Sequence, residues 1–339
     1  MALWTEVVTP LELTTVARMS AAEREREKGA LAQFLPNQMV NDTVVRLNSS
    51  ENGLVEAAEY RAFDAETTIG ATPGGKRVTV ELLPLGQKIR VSEFDQLRQR
   101  GTASPELVKN SVAGVAVRVG QAVADRMELL RGQVLTTGKA TIDENGLNGE
   151  QDYDRDSAMS VTAANSWSEA DNGKPIDDLL AWVEAYTDAN GEAPETLLLS
   201  TKALASLGKS AQLRGLTGLQ SAPTVVSRQF VIDQLEAFGL PNVQVYDRKV
   251  RVNGKAQRVI AEDTALLLPA DGSDLGATFW GNTLESTDPL YGLADDDRPG
   301  IAVGAHQEYD PMGVWVHAAA IGMPILANAN LSMAAKVLF

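Results

Sequence analysis

Three observations on this 339-residue chain predict an α+β fold. Helical and strand patterns mix without a regular βαβ alternation. A long two-stranded arm stands before a long helix. Residue types that carry chemistry are scarce, with no cysteine and two histidines, His306 and His317.

Residues 1–50 read as an arm with limited structure. Within it, Ser20 to Lys28 (SAAEREREK) predicts a short polar helix capped by Ser20. Leu31, Phe34 and Leu35 can pin it to a neighbouring surface. The two-stranded arm follows, from Leu54 to Thr68 and then Arg77 to Val91. Gly70, Pro73, Gly74 and Gly75 make the turn. Val78, Val80 and Leu82 alternate with Arg77, Thr79 and Glu81, which is strand periodicity. Strands of about 15 residues reach roughly 50 Å at about 3.3 Å per residue. A lone hairpin is marginal in water, and no further strand beside it is evident. A second copy of the chain is the predicted support.

Residues 104–136 give the clearest helix. Ser104 can cap it, Pro105 suits the first helical position and Glu106 complements the dipole. Val108, Val112, Val115, Val119, Val123 and Leu130 keep one face apolar. Gly114, Gly120 and Gly132 lower its intrinsic stability, so packing must hold it. After Gly138 come a short strand, an Asn-Gly turn and a polar return. Pro175 opens an amphipathic helix through Ile176, Leu179, Leu180, Val183 and Tyr186. Residues 195–200 predict a buried strand, followed by a helix from Thr201. Another helix runs from Ser227 to Phe238. Val243–Tyr246, Lys249–Val252, Arg258–Ile260, Leu266–Leu268, Thr278–Trp280, Ile301–Val303 and Val314–His317 read as strands, with a hairpin turn at Asn253-Gly254.

Net charge is −15, and it is localised. Residues 143–192 hold 13 acids and 2 bases, and residues 285–310 hold 7 acids and 1 base. The rest of the chain is nearly neutral. Solvated acidic loops are the expectation for both segments. Tight duplex binding needs clustered Lys and Arg, and none is evident. Cysteine-free composition excludes disulfides, thiolate nucleophiles and Cys-ligated metals. Met1 to Pro10 lacks the basic and apolar regions of a signal peptide. The longest apolar stretch, Val314–Leu326, is too short to span a membrane.

Chemical motifs fail on inspection. Residues 70–77 (GATPGGKR) match seven positions of a phosphate loop, but Arg77 stands where Ser or Thr must hold Mg²⁺, and a strand follows. Asp152, Asp154 and Asp156 alternate as calcium ligands do. An EF-hand loop from Asp152 would need Gly and Glu where Ser157 and Ala163 stand. His306 and His317 are eleven residues apart, so they form no helical ligand pair, and His317 reads as a core histidine. No serine has a nucleophile-elbow context. Aromatic content of 5% is low for a sugar-binding cleft. No catalytic, cofactor-binding or metal-ligating residue is assigned, and no cofactor is expected.

The order of elements nevertheless resembles one family. The arm, hairpin and long helix lead into LRGQVLTTGKATI (130–142) and NSWSEADNGKPIDDLLAW (165–182). APETLLLSTKALASL (193–207) and VQVYDRKVRVNGKAQRV (243–259) follow, and DPMGVWVHAAAIGMPILANANLSMAAKVL (310–338) closes the series. The chain resembles the major capsid proteins of tailed bacteriophages, in the lambda-type branch of the Hong Kong-97 (HK97-like) fold. That resemblance implies a non-enzymatic subunit of an icosahedral shell, built from hexamers and pentamers around packaged double-stranded DNA without specific binding. It implies an N-terminal arm (1–50), an E-loop hairpin (51–100) and a P-domain with its spine helix (101–157). An A-domain (158–255), P-domain return strands (256–320) and a C-terminal A-domain segment (321–339) complete it. It further implies a separate scaffolding protein and a portal, the decoration protein that this branch often adds, no membrane partner, and a place in the virion after assembly in host cytoplasm. Lys76 and Lys88 lie in the hairpin, and no cross-linking motif surrounds either. The competing readings are another assembly protein, of tail or S-layer type, or an enzyme of unknown type.

Overall fold

The computed structural model describes residues 2–3, 5, 8–28, 31–49, 76–91, 105–218, 223–270, 275–310 and 312–339. Strand β1 is Ala2–Leu3, and helix α1 runs from Pro10 to Glu27. α1 is far longer than the predicted Ser20–Lys28 helix, and its cap is Thr9. The Thr9 hydroxyl accepts from the Glu12 amide and the Glu12 carboxylate accepts from the Thr9 amide, both at 3.3 Å. This reciprocal pair satisfies two orphan helix donors. Ser20 lies inside the helix and donates to the Val117 carbonyl at 3.4 Å. The buried face of α1 is Leu13, Thr14, Ala17, Ser20 and Ala21. Small and hydroxylated residues give a weak apolar periodicity, which hides the first half of the helix from pattern reading.

Strands β2 (Asn37–Met39), β3 (Val44–Ser49), β4 (Lys76–Glu81) and β5 (Pro84–Val91) follow. β3 and β4 pair antiparallel from Val44↔Glu81 to Ser49↔Lys76. The stem of the arm therefore uses Val44–Ser49 as its first strand. The predicted strand Leu54–Thr68 and the turn at 70–75 lie outside the described residues. The predicted second strand, Arg77–Val91, is two strands. Leu82 is buried between them, and Pro84 opens the second, where its missing N–H breaks no ladder. β5 then lies in a sheet of its own subunit, so the expectation that nothing in the chain supports residues 84–91 is corrected.

Helix α2, Pro105–Thr137, has 33 residues, or about 50 Å at about 1.5 Å each. Val112, Val115, Val119, Val123 and Leu130 are buried, as their spacing predicts. Two of its glycines sit at close approaches. A Cβ on Gly120 would stand 2.5 Å from the Ala17 carbonyl oxygen, and one on Gly132 would stand 2.6 Å from that of Val259. Gly138, at φ 71°, ends the helix in the left-handed region.

β6 (Lys139–Glu144) and β7 (Leu147–Asp152) form a hairpin whose turn residues, Asn145 and Gly146, both have positive φ. Then come β8 (Ser160–Thr162), α3 (Pro175–Asn190), β9 (Thr196–Leu199), α4 (Thr201–Leu207), α5 (Ala211–Gly215) and α6 (Arg228–Ala237). β10 (Asn242–Val245), β11 (Lys249–Val252), β12 (Lys255–Arg258), β13 (Thr264–Leu268) and β14 (Gly276–Gly281) follow. α7 (Leu284–Thr287), β15 (Ala302–Tyr309), β16 (Met312–Leu326) and β17 (Met333–Lys336) complete the chain.

Two sheets organise these elements. In the five-stranded sheet the order is β10-β9-β13-β17-β8. In the six-stranded sheet it is β1-β15-β16-β14-β2, with β5 also beside β16. β16 is much longer than the predicted Val314–His317. It pairs with β15 on one side, and on the other with β5 up to Ile321 and with β14 from Ile321 to Leu326. α1 and α2 cover one face of the six-stranded sheet, burying Val303, Ala305, Val314, Val316, Ala318 and Ala320. The Thr14 hydroxyl donates to the Val303 carbonyl and accepts from the Val303 amide, at 3.2 and 2.9 Å.

The five-stranded sheet has a separate core, built on Trp167, Leu179, Trp182, Tyr186, Leu197, Leu199 and Leu267. The Trp167 and Trp182 rings stack at 5.8 Å. A third cluster joins the two halves, bringing Leu130 and Val134 of α2 against Leu198, Leu266 and Phe279.

Candidate assembly surface and buried charge junction

Among the described residues, the second face of the six-stranded sheet is only partly covered. Along β16 the residues alternate, with Val314, Val316, Ala318 and Ala320 buried and Trp315, His317 and Ala319 half-exposed. Register brings Arg90 opposite Trp315 and Lys88 opposite His317 on β5, and His306 opposite Trp315 on β15. The Lys88 ammonium stands 5.1 Å from the Trp315 ring centre, a cation–π arrangement. The Trp315 indole N–H donates to Glu308. The two histidines, eleven residues apart in sequence, have ring centres 6.2 Å apart. Burial, and then the neighbouring His317, hold His306 below the usual imidazole range. In a chain of net charge −15 this face gathers Lys88, Arg90 and both histidines around one tryptophan. Next to it runs an open groove of about 440 Å³ between the start of β5 and α7, with Leu85, Gly86, His317 and Ala319 on one side and Thr283 to Glu285 on the other.

The acidic segments are largely engaged or solvated. Lys139 bridges Glu150 and Asp152 at 3.4 and 2.6 Å across the β6–β7 hairpin. The Asp154 amide donates to Asp152 at 3.0 Å, and Asp156 accepts from the Ala158 amide at 2.9 Å. These three aspartates serve turn and hairpin geometry. Among the described residues no group of three His, Cys, Asp or Glu side chains can hold a metal ion. Lys76 and Arg77, the end of the phosphate-loop lookalike, begin strand β4. Among the described residues no helix is long and apolar enough to cross a membrane.

The densest electrostatic site was not singled out from sequence. Glu128 and Arg131, both on α2, have no exposed side-chain surface. Glu128 accepts from the Leu31 amide at 2.8 Å and from the Tyr246 hydroxyl at 2.7 Å. It also lies 3.3 Å from both Arg131 and Arg248. Arg131 donates to Thr278 at 2.8 Å and to Glu25 and Asn37 at 2.6 Å each. At the rim, Arg24 grips Asp125 through two bonds of 3.1 and 2.8 Å, and Arg248 reaches the same carboxylate at 2.7 Å. Three cations thus balance three anions, which is what lets charge remain buried. Burial, and then the charge of Glu128, push the Tyr246 hydroxyl far above its ordinary range, so it remains a donor. A sequence signal for this junction exists. The stripe Ala116, Gly120, Ala124 steps by four residues along α2 into Glu128, so a charge falls on a close-packed face.

The comparisons agree with this architecture. The family model for the phage major capsid protein E matches residues 15–337. No curated protein sequence matches the chain. Among solved structures, a capsid protein of a prophage of E. coli CFT073 is 16% identical with a TM-score of 0.66, over 97% of this chain and 99% of that one. A phage-related protein from Bordetella bronchiseptica RB50 is 14% identical with a TM-score of 0.58, covering 96% of each chain. The capsid subunit of a native GTA particle is 13% identical with a TM-score of 0.50, over 93% and 91% of the two chains. At these identities the neighbours establish the Hong Kong-97-like fold, and the family match over nearly the whole length establishes the kinship. The chain belongs to the phage major capsid protein E family and is a structural subunit of a phage capsid.

Proposed function

We propose that the chain assembles into hexamers and pentamers of a closed icosahedral shell around double-stranded DNA. The observation that carries this reading is the sheet that α1 and α2 cover on one face, while on the other the described residues leave Trp315, Lys88, Arg90 and His317 at least partly exposed. A half-covered sheet rooted beside a hairpin stem offers a neighbour both a surface and an arm. The stem formed by Val44–Ser49 and Lys76–Glu81 is the described root of the arm, and residues 50–75 lie outside the described residues. Residues 101–157 with the six-stranded sheet act as the P-domain, and the five-stranded sheet acts as the A-domain around the symmetry axes. Electron microscopy of the purified chain, with and without co-expressed phage proteins, tests this. Closed shells with five-fold and six-fold rings are expected. Tubes, flat arrays or a monomer under every condition would overturn it.

Catalysis has no part in the reading, and neither does a cofactor. The partners in this reading are a separate scaffolding protein and a portal, with the virion as destination and host cytoplasm as the place of assembly. DNA is held by enclosure, because net charge −15 opposes phosphate binding. No cross-linking motif surrounds Lys76 or Lys88, so shells are expected to be held without covalent cross-links. Boiled particles are expected to run at the monomer mass, and a ladder of bands would contradict this.

A further inference from the structure

We propose that Asp125 is a shared clasp that couples the seat of the N-terminal helix to the segment leaving the five-stranded sheet. Its carboxylate, at the rim of the junction, is held at once by Arg24 of α1 and by Arg248, which stands between β10 and β11. Asp125 itself belongs to α2, so one acceptor ties three elements. Around it, Glu128 binds the chain just after α1 through the Leu31 amide and the same sheet exit through Tyr246. Gln33 adds a bond of 2.8 Å to Gln244 of β10. Displacement of α1 therefore leaves Arg248 with a freed, half-buried acceptor and loosens the exit of the five-stranded sheet. Coupling of this kind is reciprocal, so loosening that exit must loosen α1. In a shell this would transmit a pull on the N-terminal region of one subunit to its axial module, a consequence that rests on the capsid reading. The coupling itself does not rest on that reading.

Amide hydrogen exchange on the purified, unassembled chain tests it. Arg24→Met should speed exchange at residues 242–252 as well as in α1, by about fivefold or more. Arg248→Met should speed exchange in α1 as well as in its own segment. Asp125→Asn should reproduce both effects, and the Arg24→Met/Arg248→Met pair should shift the unfolding midpoint by less than the sum of the single changes. The exposed Arg26 on the same helix turn provides a control, since Arg26→Met should leave residues 242–252 unchanged. Amides of β13 report global unfolding and should not change. If the rise stays within the mutated element, or if β13 rises equally, the clasp is overturned. Because no assembly is needed, failure of this test is separate from failure of the shell reading.

Discussion

The cores under the two sheets are made of different materials. Under the five-stranded sheet lie Trp167, Trp182, Tyr186 and many leucines, a thick filling of large side chains. Between the six-stranded sheet and its two helices lie chiefly valines and alanines, with Ala17 of α1 against Gly120 of α2. Large side chains gain stability from area removed from water. Small ones bring backbones close and make a thin, flat layer in which dispersion contacts carry more of the burden. The difference teaches how one chain can hold a globular module and a plate-like one. The first tolerates little deletion, and the second tolerates little addition.

The strongest break should come at the junction that joins the two. Glu128→Leu removes the acceptor shared by Leu31, Tyr246, Arg131 and Arg248 and strands buried cations. A loss of about 3–5 kcal/mol is expected in denaturant unfolding. If the loss is under about 1 kcal/mol, the network is not a structural joint.

Next comes the thick core. Leu179 is wholly buried, and Leu179→Ala should cost about 2–5 kcal/mol. The thin core is tested the opposite way. Gly120→Ala places a methyl group 2.5 Å from the Ala17 carbonyl oxygen, so α1 must move off α2. A cost of about 1–3 kcal/mol is expected, although alanine has the higher helix propensity. A stabilised variant would show that the two helices do not approach as closely as described.

Thr9→Ala removes the cap of α1 and should cost about 1 kcal/mol, seen as increased exchange in its first turn. Smallest is an acid effect at Asp125. Burial opposes its charge, but bonds from Arg24 and then Arg248 outweigh burial and hold its carboxyl below the ordinary value. The folded chain therefore gives up this proton more readily than the unfolded chain. The contribution is whole above about pH 4 and fades as pH falls through the depressed value. Asp125→Asn should flatten that part of the acid unfolding curve; an unchanged curve would remove Asp125 from the account.

Legibility from sequence follows the same division. Elements of the thick core are plain to read, because Leu179, Tyr186 and Leu197–Leu199 carry a strong apolar signal. Pro105, Pro175, Gly138 and Asn253-Gly254 mark boundaries with chemistry that tertiary packing does not override. The first half of α1 is hidden because its buried face, Pro10, Leu13, Thr14 and Ala17, holds a single large aliphatic side chain. The pairing of β5 with β16 is hidden for another reason: more than 200 residues separate the partners, and alternation alone names no partner. The ions of the junction come from three separate segments, α1, α2 and the turn between β10 and β11, and only their convergence in space reveals that each charge has a counterpart. The histidine pair is a similar case, since adjacency across a sheet has no signature in spacing.

Thr14 has one further consequence. Its hydroxyl occupies both backbone groups of Val303 on the outer strand of the six-stranded sheet, while Arg18 takes the Ile301 carbonyl at 2.8 Å. Ala2 and Leu3 cover the positions of Gln307 and His306 on the same edge. An open edge is a template on which any extended chain can grow. A protein made in many copies within one cell faces that hazard at its highest concentration. With this edge occupied by its own N-terminal region, strand-to-strand growth into fibres is closed at these positions, and contact between copies is left to surfaces whose side chains can discriminate.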